Sequence, residues 1–351
     1  MKNNIDEIVL NDETIENKEV NMKQIADIFN VSIVTVSKAL NDKDGVSKKL
    51  REQIKEKAKE LGYRPNVAAR SLKTKRSYNV GLLIANRYIE SQESYYFSVS
   101  SEIIKKLNDD GYSGIIEILS SEREEKAILP NMYNEQKIDG LIVLGQLEDN
   151  YLRELEKIDV PLLYMDFYVS FSNVDSIVID NFFSSYEITH LLLEIGHKKI
   201  GFVGNIYSTS SIQDRYLGYY KALLEKHFSL DKNYIISDRD GLGRLLEIQL
   251  PKNLPSAFVA NCDQTAYKLI KKLKELNYRV PEDISVVSFD NSIYSTLSEP
   301  QITTVDNNIK QMVETAARII IKKIVNPKLT YGRIFIKGKM ILRDSAQPLK
   351  E

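Results

Sequence analysis

Residues 31–40, VSIVTVSKAL, carry side chains suited to reading a surface rather than to catalysis. On a helix, successive residues turn by about 100°. Val36, Ala39 and Leu40 then share one face, while Val34 and Lys38 point the opposite way, one turn apart. An apolar side chain beside a lysine fits a helix buried all round, or a helix whose outer face meets something other than water. A DNA major groove is such a surface. There a thymine methyl packs on an apolar side chain, and a lysine donates to guanine O6/N7 or to a phosphate. Ile33 adds an apolar contact at the N-terminal edge, and Ser32, Thr35 and Ser37 are short hydroxyls suited to phosphate oxygens. The alternative is that Ile33 and Val34 pack on another protein surface.

Charge is distributed unevenly along the chain. Residues 1–20 hold two lysines against six acids, a net of −4, whereas residues 21–77 hold 14 Lys/Arg against six Asp/Glu, a net of +8. The whole chain is at −1, so the other 274 residues sum to −5. A basic head on a mildly acidic body points to a polyanionic partner, with a merely solvated charged surface as the alternative. The acidic residues 1–20 read as a disordered extension that tunes nonspecific DNA binding.

Three short helices must position the reading face. Ile25, Ala26 and Phe29 supply a core from the first, 22–29. Ser32 caps the second, from Ile33 to Asn41, after the tight connection NVS. Ser47 caps a third, in which Leu50, Ile54, Ala58 and Leu61 recur at helical spacing and Gly62 is the stop. Two helices joined by about three residues and propped by a third form a helix-turn-helix unit. The next segment, YRPNVAARSLKTKRSYN, has Pro65 to open a helix, but residues 66–72 are too few to stand alone. They read either as a helix ordered only by a partner or as a flexible linker.

From Asn79 the pattern changes to alternating strands and helices. Ten strand-like runs (NVGLLIA, SGIIEIL, DGLIVLG, PLLYMDF, SIVID, KIGFVGN, NYIIS, AFVAN, ISVVSFD and ITTVD) mostly alternate with amphipathic segments such as SSYEITHLLLEIGH and TAYKLIKKLKELNY. That alternation predicts parallel sheets covered on both faces. Ten strands exceed one comfortable open sheet, so two α/β lobes with a ligand-binding cleft between them are expected.

Enzymatic signatures are missing. There is no GxxxxGK[ST], HExxH, CxxC or GxSxG, and DGLGRLL is a weak match to a dinucleotide loop. The three histidines are His190, His197 and His227, and a structural role is expected for the first two. No metal or organic cofactor is expected. A single cysteine, Cys262, precludes an internal disulfide and fits a reducing cytoplasm. No run of about 18 apolar residues predicts a membrane span, and the N-terminus lacks the apolar stretch of a signal peptide.

The segment MKQIADIFNVSIVTVSKALNDKDGVSKKLREQIKEKAKELGYRPNVAARSLKT resembles the DNA-binding head of the lactose/galactose repressor (LacI/GalR) family. The likeness continues through NVGLLI, IDGLIVLG, VDSIVIDN, HLLLEIGHKKIGFVGN, DRYLGYYKALLE, RVPEDISVVSFDN, ITTVDNN and LRDS, covering roughly residues 21–345 in family order. It implies a helix-turn-helix head over 21–64, a hinge helix and linker over 65–77, and a periplasmic-binding-protein-like core of two parallel-sheet lobes over 78–351. It further implies a homodimeric regulator, a repressor on a double-stranded palindromic operator, controlled by a small, sugar-like effector. Ile33, Val34 and Lys38 fall where the family's base-reading side chains lie. Leu72 aligns with the hinge leucine that wedges into the minor groove, flanked by Asn66, Ala69, Arg70 and Lys73. Effector contacts are implied for Tyr96, Phe97, Asp166, Arg215, Asn261, Asp263 and Asp290. On the residues alone, Arg215 and Asp290 suit hydroxyl recognition or a salt bridge within the core, and Tyr95 suits helix packing.

The chain departs from the family at several points. ANCDQTA places Cys262 ahead of Asp263, and a thiol is no substitute for an amide as a two-way hydrogen-bonding group. Phe167 follows Asp166 where many relatives have Arg, RYIESQESYYF lacks the usual Asn-Pro, and SDRDGLGRLLEIQLPKNLPS is shortened. The pocket is unusual, and its ligand cannot be named by analogy. Two rivals are control of such a regulator by a partner protein and a sugar-binding protein that does not touch DNA. No heptad repeat follows LRDSAQPLKE, which favours a dimer over a tetramer.

Overall fold

The computed structural model describes residues 20–63, 71, 74–89, 95–241 and 243–349. The chain divides into two compact units, residues 1–75 and 76–351.

The first unit holds α1 (Met22–Phe29), α2 (Ile33–Leu40) and α3 (Lys48–Glu60). Local chemistry sets each boundary. The Asn21 side chain accepts from the backbone of Lys23 and Gln24, and Gln24 returns a bond to the Asn21 N–H, closing a capping box at α1. Asn30 turns the chain at φ +48, and Ser32 and Ser47 cap α2 and α3 by accepting from Thr35 and Leu50. At the end of α3, Gly62 sits at φ +68, and Tyr63 N–H reaches back to the Ala58 carbonyl at 2.8 Å. That left-handed stop satisfies carbonyls the helix leaves open. Ile25, Ala26, Val36, Ala39, Ile54 and Ala58 meet in a small buried core.

The second unit contains two six-stranded sheets. The first has order β11-β5-β4-β3-β1-β2, from β1 (Asn79–Ala85), β2 (Ser113–Leu119), β3 (Gly140–Leu144), β4 (Leu162–Met165), β5 (Ser176–Ile179) and β11 (Arg333–Ile336). The second has order β12-β10-β9-β8-β6-β7, from β6 (Ile200–Val203), β7 (Ile235–Ile236), β8 (Ala257–Ala260), β9 (Ser285–Phe289), β10 (Thr303–Asp306) and β12 (Lys339–Ile341). Neighbouring strands are parallel except β10 and β12.

The inner strands of each sheet are buried on both faces, which is why they read as apolar runs. On β1, Val80, Leu82 and Ile84 pack into one cluster with α4 (Tyr95–Asp109), while Leu83 and Ala85 join the other face with Tyr151 and Leu152. On β8, Phe258 and Ala260 face one side, and Ala257 and Val259 the other. Helices α5 (Asn181–Glu194), α6 (Ser210–Glu225) and α7 (Asp263–Glu275) cover the second lobe, whereas α8 (Ile309–Val325) returns to pack on the first. The chain therefore passes between lobes after β5, after β10 and between β11 and β12. The ten runs expected from sequence are all strands here, and β11 and β12 were not anticipated.

Candidate DNA-reading face and ligand cleft

In the head, α2 turns Val36 and Ala39 fully inward and leaves Val34 63% and Ile33 47% exposed. Lys38 is also exposed on that outer side. Ser32 and Thr35 hydroxyls bond each other at 2.9 Å at the helix entrance, and the Ser37 carbonyl accepts from the Asn41 amide. Ser32, Ile33, Val34 and Lys38 thus share one accessible edge, with Thr35 and Ser37 half-buried beside it. Asn66, Ala69, Arg70, Leu72 and Lys73 lie outside the described residues.

In the core, the carboxyl ends of the strands converge on a cavity of about 880 Å³ between the lobes. Open α/β sheets place their ligand sites at such strand ends. Asp166 follows β4 at φ +70 and Asp290 follows β9 at φ +103. Both adopt the left-handed backbone that aspartate tolerates better than most residues, and both line the cavity.

Around Asp166 the partners are neutral. The Tyr96 phenol donates to Asp166 Oδ2 at 2.8 Å, while Oδ1 is buried with no described hydrogen-bond partner. Burial raises the Asp166 carboxyl to about 6, against smaller opposing effects of the Tyr96 bond and of Arg215. Burial, then the Asp166 charge, holds the Tyr96 phenol well above its usual range. The Tyr96 ring stands 5.0 Å from Tyr88 and 5.2 Å from Tyr95. Gly145, at φ +79, lets this cluster close, because a Cβ there would come within 2.8 Å of Tyr88 and 2.9 Å of Tyr96. Tyr95 reaches into the first-lobe core beside Met312 and also lines the cavity. Phe97 lines the mouth, 59% exposed.

Across the cleft, Arg215 is 5% exposed and bonded through each of its three side-chain nitrogens. It donates to Asn181 Oδ1 at 2.8 Å, to the Asn261 carbonyl and to Asp290 Oδ1 at 3.2 Å, and its guanidinium lies 4.6 Å from the Phe289 ring centre. Asn307 gives Asp290 Oδ1 a second bond at 2.9 Å. Asn261 lines the cavity, but its amide nitrogen bonds Asp238 and the Val203 carbonyl.

Asp263 does not face the cavity as expected. Its oxygens accept from Ser288, Thr304 and both the N–H and hydroxyl of Ser292, and it is fully buried. With four neutral donors turned toward it, the carboxylate ties β9, β10 and the 290–292 loop beneath the cleft. Burial, with the neighbouring Asp290 charge, raises it to about 6.

Arg239 was not anticipated. The shortened segment folds back as a tight rim, with Arg239 bridged to Leu245 and Gly243 at φ +83. Arg239 enters the cavity, bonding Asp238 at 2.8 Å and Asn261 Oδ1 at 3.1 Å, with Cys262 Sγ at 3.8 Å. No residue spacing signals this, since the contacts come from a turn and from a neighbouring strand end. Burial pushes the Cys262 thiol up, with Arg239 pulling the other way. His197, well away from the cavity, is held between Ser256, Ser285 and the Gln347 carbonyl.

Comparisons with known proteins agree with this geometry. Residues 21–66 match the bacterial regulatory proteins of the lacI family, and residues 189–346 match a periplasmic binding protein-like domain. The HTH-type transcriptional regulator RegA of Clostridium saccharobutylicum is 30% identical over 333 residues, spanning 92% of this chain and 98% of that protein. The chain belongs to the LacI family of bacterial regulatory proteins. This LacI-family regulator is also 27% identical to the HTH-type transcriptional repressor PurR of Klebsiella pneumoniae, over 92% of the chain and 96% of the relative. The fold matches a Lac repressor dimer bound to operator and the anti-inducer ONPF, with a TM-score of 0.71 and 22% identity, over 94% of this chain and 100% of that one. It is a DNA-binding transcription regulator with an effector-binding core. Among the described residues no helix is long and apolar enough to cross a membrane.

Proposed function

We propose that this regulator acts in the cytoplasm as a homodimeric repressor on a palindromic operator, with a small polar effector in the cleft setting its affinity. The observation that carries the reading is the outer edge of α2, where Ile33 and Val34 stay in solvent on a helix whose other face is fully buried. Burying a side chain of this size stabilises by about 1.5–3 kcal/mol, and thymine methyls in a major groove offer that burial. Lys38 donates to guanine or phosphate from the same edge. Ser32, Thr35 and Ser37 meet phosphate oxygens.

The Lac repressor relative is a dimer on its operator. By that likeness, two heads of this chain read two half-sites and the paired Leu72 side chains wedge open the centre, with Asn66, Ala69, Arg70 and Lys73 beside them. In the cleft, Asp166, Arg215 and Asp290 supply polar contacts, while Tyr96 and Phe97 supply ring faces. A ligand that prefers one closure of the lobes changes operator affinity. A coupling of about 1–3 kcal/mol corresponds to roughly 5- to 150-fold.

Selection from a pool of randomised duplexes with the full chain tests the DNA half. A palindrome is expected, and Val34→Ser should relax base preference at one position of each half-site. Leu72→Ala should weaken the selected site at least tenfold more than unrelated DNA. Enrichment without two-fold symmetry, or equal losses on both DNAs, overturns the reading.

A further inference from the structure

The charges around the cleft do not balance. Four guanidiniums line it, and each has an acid of its own: Arg87 pairs with Glu124, Arg215 with Asp290, Arg239 with Asp238 and Arg244 with Asp240. Two carboxylates are left over. Asp166 faces the cavity, and Asp263 lies beneath its floor. Among the described residues, neither has a lysine, arginine or histidine nitrogen within 4.0 Å. Residues 90–94, which precede α4, are Glu, Ser, Gln, Glu and Ser and contain no cationic side chain.

Asp166 is unsatisfied as well as unneutralised. One oxygen takes the Tyr96 phenol, and Oδ1 is buried without a donor among the described residues. A carboxylate withdrawn from water, with one oxygen lacking any donor, is unfavourable as an anion until a cation comes close to it. The same wall carries the rings of Tyr88, Tyr95 and Tyr96. Aromatic faces attract cations, most strongly where water is excluded. A neutral hydroxyl would leave the charge uncompensated. An anion would meet guanidiniums already neutralised, together with two surplus carboxylates.

We propose that the effector is a cation: an amine-bearing polyhydroxylated molecule of amino-sugar type. Its ammonium binds Asp166 beside the tyrosine rings, and Asp290 with Arg215 takes its hydroxyls from the other lobe. This inference rests on the reading that the cleft holds the effector.

Calorimetric titration of the full chain at pH 7.5 tests it with glucosamine, galactosamine and mannosamine. Their neutral parents, glucuronate and glucose 6-phosphate complete the panel. At least one amine should bind tenfold or more tightly than its parent. Asp166→Asn should bring amine and parent to equal affinity, and asparagine suits the left-handed backbone at this position. A parent or an anionic sugar binding as well as the amines, or a preference that survives Asp166→Asn, overturns the inference. If such a sugar binds and Asp290→Asn, which leaves the chain folded, weakens its binding tenfold or more, the cleft reading stands while the cation fails. No binding by any member of the panel counts against both.

Discussion

Asp166 and Asp290 occupy the same place in the two lobes. Each follows the third strand of its sheet order, β4 in one and β9 in the other, and each has a positive φ that aims it into the cleft. Their partners differ. Asp290 is bridged to a buried guanidinium and bonded by Asn307. Asp166 has a phenol on one oxygen and no described partner on the other. The fold thus uses one carboxylate position twice. In the second lobe it already has its cation and meets a ligand as a neutralised pair, and in the first its charge is left open. Duplicated topology sets where a side chain sits, whereas neighbours from other elements set whether its charge is already matched or left for a ligand to match.

Breaking the finished half should have the largest effect. Arg215→Ala removes the cation from Asp290 and the donors from Asn181 and the Asn261 carbonyl, leaving buried groups unpaired. Stability in denaturant should fall by about 3–5 kcal/mol. A loss under 1 kcal/mol would mean that the pair is not part of the frame. A smaller and opposite pair of effects should separate the two aspartates. Asp290→Asn should destabilise the ligand-free protein by about 1–2 kcal/mol, while Asp166→Asn should leave it unchanged or stabilise it by about 1 kcal/mol at pH 8, because it removes a buried unpaired charge. Equal destabilisation by both would erase the distinction.

The most local effect, confined to one titrating group, is in the pH dependence. Asp166 titrates at about 6 in the folded chain, above its ordinary 3.8. Between those values the folded state holds more protons than the unfolded one, so this group's contribution to stability is present at low pH and declines as pH rises from about 4 to 6, by at most about 1.4 kcal/mol per unit. The stabilities of wild type and Asp166→Asn should draw apart across pH 4–6, the variant gaining on wild type, and keep a constant separation from there to pH 8. Parallel curves over that window would place the carboxyl in an ordinary, solvated setting.

The head was legible because its signals are local. Asn21, Ser32 and Ser47 cap helices through bonds to residues two or three positions on, and Gly62 stops α3 through its own φ. The outward Val34 and Lys38 followed from a turn of about 100° per residue. In the core, ten strands were legible because most are inner strands with both faces dry, and most alternate with amphipathic helical segments. β11 (RIFI) and β12 (KMI) were not, since they are short and exposed and owe their pairing to β5 and β10, far away in the chain. Resemblance placed Asp166, Arg215 and Asp290 in the cleft, and the structure brings them to its two walls. It gave no warning that Asp263 turns inward to serines and a threonine, or that Arg239 arrives from a shortened turn.

What the sequence determined by itself was therefore the set of elements, their capped ends and the face each presents, because these depend on interactions spanning a few residues. What only the tertiary structure decided was the pairing of charges around the cleft. Tyr96 reaches Asp166 across 70 positions and Arg215 reaches Asp290 across 75. Whether a buried carboxylate finds a guanidinium or a phenol depends on which strand ends the two sheets bring together, and no local period encodes that.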